Sequence, residues 1–146
     1  MRVSIATDSA SGTSVEIHCS VVNKDVERLE NYIRRFDERL PGQLDGATVN
    51  IPLEEVLFIE SVDKKTFIYT KDNVLLTEKR LYELEEILDE RDFFRCSKSM
   101  IVHLNKITKL KPEVTRNIRA TLENGEVIVI SRRYVPALKN LIGLEG

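Results

Sequence analysis

The chain has 146 residues, of which 42% are hydrophobic and 32% are charged, as in a folded domain with a short extension. Its 22 Lys+Arg and 24 Asp+Glu leave a formal net charge of −2. No apolar run approaches the ~20 residues that cross a bilayer, and the start lacks the long apolar segment of a signal peptide. The two cysteines form no CxxC pair, which favours free thiols in a reducing cytoplasm.

The charges are distributed unevenly along the chain. Residues 46–90 carry 5 Lys+Arg against 11 Asp+Glu, a net charge of −6, whereas residues 91–146 carry 11 against 5, a net charge of +6. A basic segment inside a weakly acidic protein indicates a polyanionic partner. The alternative is that an acidic helix and basic strands neutralise each other within the fold.

The first 45 residues predict one strand and one helix, a βα extension. The stretch SVEIHCSVV at residues 14–22 alternates apolar with polar residues, which predicts a half-buried strand. Asn23 is a candidate N-cap, and apolar residues at helical spacing then predict an amphipathic helix as far as residue 40. Pro41-Gly42 would end this helix, and PGQLDG is predicted to be a linker.

Residues 46–146 predict a mainly β domain with few short helices. The strands are expected in ATVNI, VLFIES, TFIYT and VLLT, and then in FFRCS, MIVHL and ITKL, with turns at residues 62–64 and 71–73 between the early ones. Asn124-Gly125, between NIRATLE and EVIVIS, predicts a type I′ hairpin. RRYVPALKNLIG predicts a short closing helix. Another helix is predicted in EKRLYELEEILDE, with an apolar face of Leu81, Leu84, Ile87 and Leu88.

No catalytic site is evident in the sequence. Adjacent strand residues point to opposite faces, so His18 and Cys19 are better interpreted as a surface imidazole and a core thiol. His103 stands beside no acid or thiol, and two histidines with two cysteines do not make a metal-ligand spacing. The acidic pairs around Glu54 and Glu85 are interpreted as solvated faces. We therefore expect a protein that is not an enzyme and that needs no cofactor or metal.

Four stretches, in order, resemble the LytTR family of bacterial DNA-binding domains. They read VLFIESVDKKTFIYTKDN, LYELEEIL, FFRCSKSMIVHLNKI and LENGEVIVISRRYVPALK, and the resemblance spans residues 48–144. It implies an elongated arrangement of small sheets that places loop and strand-end residues into successive major grooves of double-stranded DNA. It also implies binding to paired direct repeats by two copies of the protein, a homodimer at least on DNA.

The resemblance places the DNA contacts on three cationic loops, of which the first carries Lys64-Lys65-Thr66, the second Ser97-Lys98 and the third Arg132-Arg133. By family position, the base edges would be contacted by Lys65, Lys98 and Arg133. Phosphate or supporting contacts would come from Lys64, Thr66, Ser97, Lys106, Arg116 and Arg132. Many members carry His-Arg-Ser or His-Asn-Ser where this chain has Ser97-Lys98-Ser99. A lysine lacks the planar fork of arginine, so this departure bears on the preferred base pattern.

Neighbours of the second loop have several interpretations. Arg95 either pairs with a carboxylate such as Glu60 or contacts DNA, and both interpretations stay open. Ser99 is predicted to be structural, with its hydroxyl satisfying backbone groups near the start of a strand. Cys96 lies beside the loop and has no evident disulfide partner.

The sequence contains no counterpart of the receiver domain that usually controls such proteins. Short family members with a comparable N-terminal segment resemble stand-alone regulators that are often encoded beside a small membrane protein, which is thus a candidate regulatory partner. Residues 1–45 would then serve dimerisation or signal coupling.

The leading hypothesis is a cytoplasmic, sequence-specific transcription regulator. One alternative is an adaptor that binds a protein or membrane partner on the same scaffold. Another is a single-stranded RNA binder, which would need exposed aromatic residues on a sheet face. Phe67 and Tyr69 are instead predicted to lie in the core.

Overall fold

The computed structural model describes residues 1–9 and 11–143, so residues 144–146 of the predicted domain lie outside the described part. Its helices are α1 Lys24–Arg34, α2 Leu81–Ile87 and α3 Val135–Ile142. Its strands are β1 Arg39–Leu44, β2 Ala47–Pro52, β3 Val56–Val62, β4 Lys65–Thr70, β5 Val74–Thr77, β6 Phe93–Ser97, β7 Met100–His103, β8 Ile107–Pro112, β9 Ile118–Leu122 and β10 Val127–Ile130. The predicted fold class, mainly β with few short helices, is confirmed.

The chain divides into two compact units, Met1–Arg35 and Phe36–Gly146. In the first unit, the side-chain oxygen of Asn23 accepts a hydrogen bond from the backbone N–H of Val26 at 3.0 Å, which confirms the predicted N-cap of α1. The strand predicted at residues 14–22 is wrong, because alternation alone supplies no neighbouring strand to bond the backbone. Cys19 is exposed, so the predicted core thiol is wrong as well.

Helix α1 ends well before residue 40, and the predicted linker is part of a hairpin. Leu40 is buried in β1, which pairs with β2 from Arg39 to Leu44. Asp45 and Gly46 have φ values of 50° and 80°, and a type I′ turn requires two such positive values. The Asp-Gly pair is itself a hairpin signal, but the preceding Pro-Gly concealed the strand. The predicted boundary between residues 45 and 46 therefore falls inside this turn.

Glycine occupies position 42, in the middle of β1, because neighbouring side chains leave no room for a Cβ atom there. A Cβ atom added there would lie 2.9 Å from Cδ1 of Ile51 and 3.0 Å from Cβ of Leu75. Contacts between carbon atoms are comfortable only at about 3.5–4.0 Å. A glycine in a strand can thus mark a close approach of neighbouring elements rather than the end of a helix.

Two antiparallel sheets build the second unit. The larger has seven strands in the order β2-β1-β5-β4-β3-β7-β6, and the smaller has three in the order β10-β9-β8. Two clusters of buried side chains form the core, one containing Ile59, Ile68, Leu84 and Ile101, the other Cys96, Leu122, Ile130 and Leu138. Strand β3 contributes to both clusters, because both of its faces are covered.

The apolar face predicted for α2 is narrower than expected. Leu81, Leu84 and Leu88 are buried, whereas Ile87 is 58% exposed and its inclusion in the face is wrong. The buried residues follow the i, i+3, i+7 spacing of one helical stripe, and Ile87 falls beside that stripe. None of the helices within residues 1–9 and 11–143 is long and apolar enough to span a bilayer.

The Asn124-Gly125 hairpin is confirmed, but its turn type is wrong. Only Gly125 of this pair has a positive φ, at 90°. Its N–H donates to the carbonyl of Leu122 at 2.9 Å, and the N–H of Leu122 donates to Glu126 at 2.8 Å, as in a type I turn followed by a glycine bulge. The paired positive φ values of a type I′ turn occur at Asp63-Lys64, between β3 and β4, as they do at Asp45-Gly46.

His103 is a buried polar side chain at the end of β7, only 4% exposed. Its Nδ1 lies 2.7 Å from the carbonyl oxygen of Val56, and its ring stacks on Phe93 with centroids 4.4 Å apart. Because a carbonyl can only accept, Nδ1 carries the proton of the neutral ring. Burial lowers the pKa of His103, although the bond to Val56 opposes this shift.

We expect the lowered pKa of His103 to make the fold less stable in mild acid. The unfolded chain, in which histidine has a pKa near 6.5, binds a proton more readily than His103 does in the folded state. Neutral His103 therefore makes its full contribution to the free energy of unfolding above about pH 6.5. This contribution is lost as the pH falls towards the lowered pKa of the folded state, by at most ~1.4 kcal/mol per pH unit. Urea denaturation across about pH 5 to 8 measures this loss.

His103→Asn is the control for this prediction. It keeps a nitrogen donor near the carbonyl of Val56 but does not titrate, so its stability should depend less on pH than that of wild type. An identical pH dependence in both proteins would assign the effect to other groups.

Candidate nucleic-acid interface

Three cationic loops meet at one edge of the second unit. Because β3 pairs antiparallel with β7, and β7 with β6, the end of β3 lies beside the β6–β7 turn. Ser61 N–H donates to the carbonyl of Ser99 at 2.8 Å, which joins the first loop to the second. Ser131 N–H donates to the carbonyl of Cys96 at 2.9 Å, which joins the second to the third. We call this surface the basic edge; its loop cations are Lys64, Lys65, Lys98, Arg132 and Arg133.

The charges of the basic edge are available to a ligand. All five of these side chains are exposed. Among the residues that the structure describes, none of the five forms an ion pair with a carboxylate. Each loop therefore presents at least one free cation, and the three residues predicted to contact base edges lie on three different loops.

The first loop is held against the start of α2. Lys64 has a φ of 67° in the β3–β4 turn, and its carbonyl accepts a hydrogen bond from Nη1 of Arg80 at 3.1 Å. The carboxylate of Glu83 in turn accepts from the backbone N–H of Arg80 at 3.0 Å. Thr66 is only 3% exposed and lies opposite Thr77. The Thr66 side chain is therefore buried and does not lie on the surface of the basic edge.

Arg95 binds inside the protein and shapes the second loop. Its Nε donates to the carbonyl of Ser97 at 2.7 Å, and its Nη2 donates to the carbonyl of Lys98. Its Nη1 forms an ion pair with Glu85 of α2. Of the two interpretations of Arg95, the structure shows the internal pair, but with Glu85. Glu60, the carboxylate suggested from the sequence, accepts a hydrogen bond from another residue.

The serines and the cysteine of the second loop have structural roles. Oγ of Ser97 accepts from the backbone N–H of Ser99 at 3.2 Å, so Ser97 performs the backbone role that was predicted for Ser99. Cys96 is buried, and burial raises the pKa of its thiol to about 12. Since the thiolate is the reactive form, burial keeps Cys96 in its less reactive thiol form near neutral pH.

We expect Arg95→Met to loosen the second loop, because it removes donors to two backbone carbonyls. The N–H of Ser61 donates to the carbonyl of Ser99, and the N–H of Ser99 donates to Oγ of Ser97. Amide hydrogen exchange at both residues should accelerate about tenfold for a lost stabilisation of ~1.4 kcal/mol. Arg91→Met is the matched control, because it removes an arginine that is paired with Asp89. Unchanged exchange in Arg95→Met would contradict a clamping role for this arginine.

The third loop is joined to the β8–β9 turn. The backbone N–H of Arg132 donates to the side-chain oxygen of Asn117 at 2.9 Å. Ile130 at the end of β10 pairs with Ile118 at the start of β9, so the turn that carries Arg116 lies beside Arg132. Arg116 is exposed with a φ of 71°, and it extends the basic edge.

Lys106 is not part of the basic edge. It precedes the start of β8, whereas the turn that carries Arg116 follows the end of this six-residue strand, about 20 Å away at the usual rise per residue. Its Nζ lies 3.3 Å from a carboxylate oxygen of Glu123, and its carbonyl accepts from the N–H of the same residue. The structure therefore does not bring Lys106 to the predicted contacts.

Three side chains that hold the loops were not found from the sequence. Arg80, Glu85 and Asn117 act across sequence separations of 16, 10 and 15 residues. Each looks like an ordinary surface residue within its own element, and no local pattern pairs it with its partner. Only the folded arrangement brings these groups together.

Comparison with known proteins identifies the family to which this chain belongs. The family model of the LytTr DNA-binding domain matches residues 46–143. The chain belongs to the LytTR family. Its structure is similar to that of the LytTr DNA-binding domain of a methyl-accepting/DNA response regulator from Bacillus cereus, with a TM-score of 0.70 and 25% identity. That similarity covers 73% of this chain and 98% of the other, and the resemblance inferred from the four stretches is confirmed.

Relatives of similar length extend the comparison beyond the LytTR domain. The chain is 30% identical over 132 residues to an uncharacterized HTH-type transcriptional regulator of Staphylococcus aureus strain NCTC 8325 / PS 47, covering 89% of each chain. A second such regulator, from strain MRSA252, is 29% identical over the same length. Residues 46–146 number only 101, so part of the alignment falls before residue 46. This LytTR protein is thus a DNA-binding protein related to transcriptional regulators.

Proposed function

We propose that this LytTR protein regulates transcription by inserting the loops of the basic edge into successive major grooves of paired direct repeats. The observation that carries the proposal is the junction of three loops, each with a free cation, through the Ser61–Ser99 and Ser131–Cys96 hydrogen bonds. Lysine and arginine contacts to phosphates provide affinity, and their contacts to guanine edges provide discrimination. Several linked loops can place such contacts in register.

The roles of the individual residues follow the loops. Base edges are assigned to Lys65, Lys98 and Arg133, and phosphate or supporting contacts to Lys64, Ser97, Arg116 and Arg132. Strands separate α1, α2 and α3 from one another in the described chain, so these helices do not form the consecutive pair of a helix-turn-helix motif. A consecutive helix pair of the helix-turn-helix kind needs two neighbouring helices.

Single-stranded RNA is a less suitable ligand. Phe67 and Tyr69 are only partly exposed, and the ring of Tyr69 stacks on Phe58 with centroids 4.3 Å apart. Base stacking needs free aromatic faces. Double-stranded DNA therefore fits the exposed side chains better.

Two copies on paired repeats would form a homodimer on DNA. Helix α1 has an apolar stripe formed by Val26, Leu29 and Ile33. These three side chains are half-buried, and no residue of α1 is fully buried. We assign this stripe to contact with a second copy or with a membrane-protein partner that conveys a signal in the cytoplasm.

The role of α1 is tested in the full-length protein, since removal of residues before 48 would also delete β1 from the seven-stranded sheet. Leu29→Ser/Ile33→Ser should lower the oligomeric state in sedimentation, whereas Arg28→Ser on the polar side should not. An unchanged oligomeric state in both variants would show that the stripe on α1 does not mediate dimerisation.

The function is tested by fluorescence anisotropy on a duplex from the region upstream of the protein's own gene. A scrambled duplex of equal length is the control, and both are titrated over a series of salt concentrations. We expect log affinity to fall steeply with log salt, by about 0.9 per neutralised phosphate, and the upstream duplex to bind at least ~10³-fold more tightly. Absent or salt-insensitive binding would favour the adaptor hypothesis instead.

A further inference from the structure

The outer face of the three-stranded sheet carries cations that the basic edge does not use. Lys111 on β8 and Arg119 on β9 occupy directly opposed positions, and both are exposed. Lys109 lies two residues before Lys111 on the same strand, opposite Thr121. Directly opposed residues have Cβ atoms only about 4.5–5.5 Å apart, and like charges in such positions destabilise a sheet.

The fold does not neutralise these charges. Within residues 1–9 and 11–143, no carboxylate forms an ion pair with Lys109, Lys111 or Arg119. On β10, the exposed Val129 lies opposite Arg119 and the exposed Val127 lies opposite Thr121, and both side chains are neutral. We call this surface, defined by Lys109, Lys111 and Arg119, the outer basic face.

The outer basic face adjoins the basic edge. Strand β8 ends at Pro112, one residue after Lys111, and β9 begins at Ile118, one residue before Arg119. The opposed pair is therefore next to the turn that carries Arg116. A duplex bound along the basic edge would therefore pass close to this corner of the sheet.

We propose that the outer basic face binds backbone phosphates of the duplex that flanks the sequence read by the basic edge. This inference rests on the proposed DNA-binding function and adds a second surface to it. Phosphate contacts require only positive charge, and these side chains are exposed and held by no hydrogen bond within the described residues. A phosphate near Lys111 and Arg119 also offsets the repulsion that the free protein carries.

The double variant Lys111→Gln/Arg119→Gln, in the full-length protein, tests this surface in two ways. On both the upstream and the scrambled duplex, the slope of log affinity against log salt should become shallower by about 1.8, at 0.9 for each lost phosphate contact. The ratio of the two affinities should stay unchanged, because base contacts are made elsewhere. Without DNA, the variant should melt at a higher temperature than wild type at low salt, and this difference should vanish at high salt.

Lys71→Gln is the matched control. It removes an exposed lysine from the β4–β5 turn, and β4 runs away from the basic edge from Lys65 to Thr70. We expect it to change the salt slope by much less than half of the double variant's effect.

Three outcomes would overturn the inference. The first is an unchanged slope, which would mean that the face contacts no phosphate. The second is an unchanged slope with a changed oligomeric state, which would assign the face to a second copy. The third is an altered affinity ratio, which would make these residues base contacts. If wild type shows no preference for the upstream duplex, the proposed regulation fails, but the slope on the scrambled duplex still tests the outer basic face.

Discussion

Lys98→Ala and Arg133→Ala should each lower the preference for the upstream duplex over the scrambled duplex by about 5- to 150-fold, the equivalent of roughly 1–3 kcal/mol for a lost base contact. Both side chains are exposed, unpaired within the described residues, and carried by loops that backbone hydrogen bonds join. Affinity for the scrambled duplex should fall much less, because only one charge is removed. Anisotropy titrations of both duplexes at one salt concentration measure the two effects.

Lys71→Ala is the control, because it removes an exposed lysine that follows β4 at the end away from Lys65 and the basic edge. This variant should retain the wild-type preference for the upstream duplex. The folding stability of all three variants should stay within about 0.5 kcal/mol of wild type, as for other surface substitutions. If Lys98→Ala and Arg133→Ala keep the full preference, bases are read elsewhere and the assignment of these two residues is refuted.

Leu84→Ala should lower the free energy of unfolding by about 2–5 kcal/mol. Leu84 is fully buried in the core cluster that contains Ile59 and Ile101. Such a loss is a large part of the ~5–15 kcal/mol that stabilises most domains. Helix α2 also holds two loops of the basic edge through Arg80 and Glu85, so a displaced helix should weaken specific DNA binding as well.

Ile87→Ala is the matched truncation on the same helix. Because Ile87 is exposed, its loss should cost no more than about 0.5 kcal/mol in urea denaturation. Equal costs for Leu84→Ala and Ile87→Ala would contradict the packing of α2 against the sheet.

Predictions from the sequence succeeded where the signal was local. The N-cap at Asn23, the strands VLFIES and VLLT and the hairpin at Asn124-Gly125 all depend on residues a few positions apart. They failed at residues 14–22, where alternation predicted a strand without a partner, and at Gly42, where a glycine in a close approach resembled a break. The type of the Asn124-Gly125 turn was also misassigned, because φ at Asn124 depends on how the strands pair.

The sequence by itself determined the family, the mainly β class and the loops that carry the cations. The tertiary structure alone decided that these loops meet, that Lys106 lies apart from them, and that Arg95 turns inward to Glu85. The physical reason is the range of the interactions. Caps and turns are closed by neighbouring residues, whereas the basic edge is closed by hydrogen bonds between strands that are distant in the chain, such as Ser61 with Ser99.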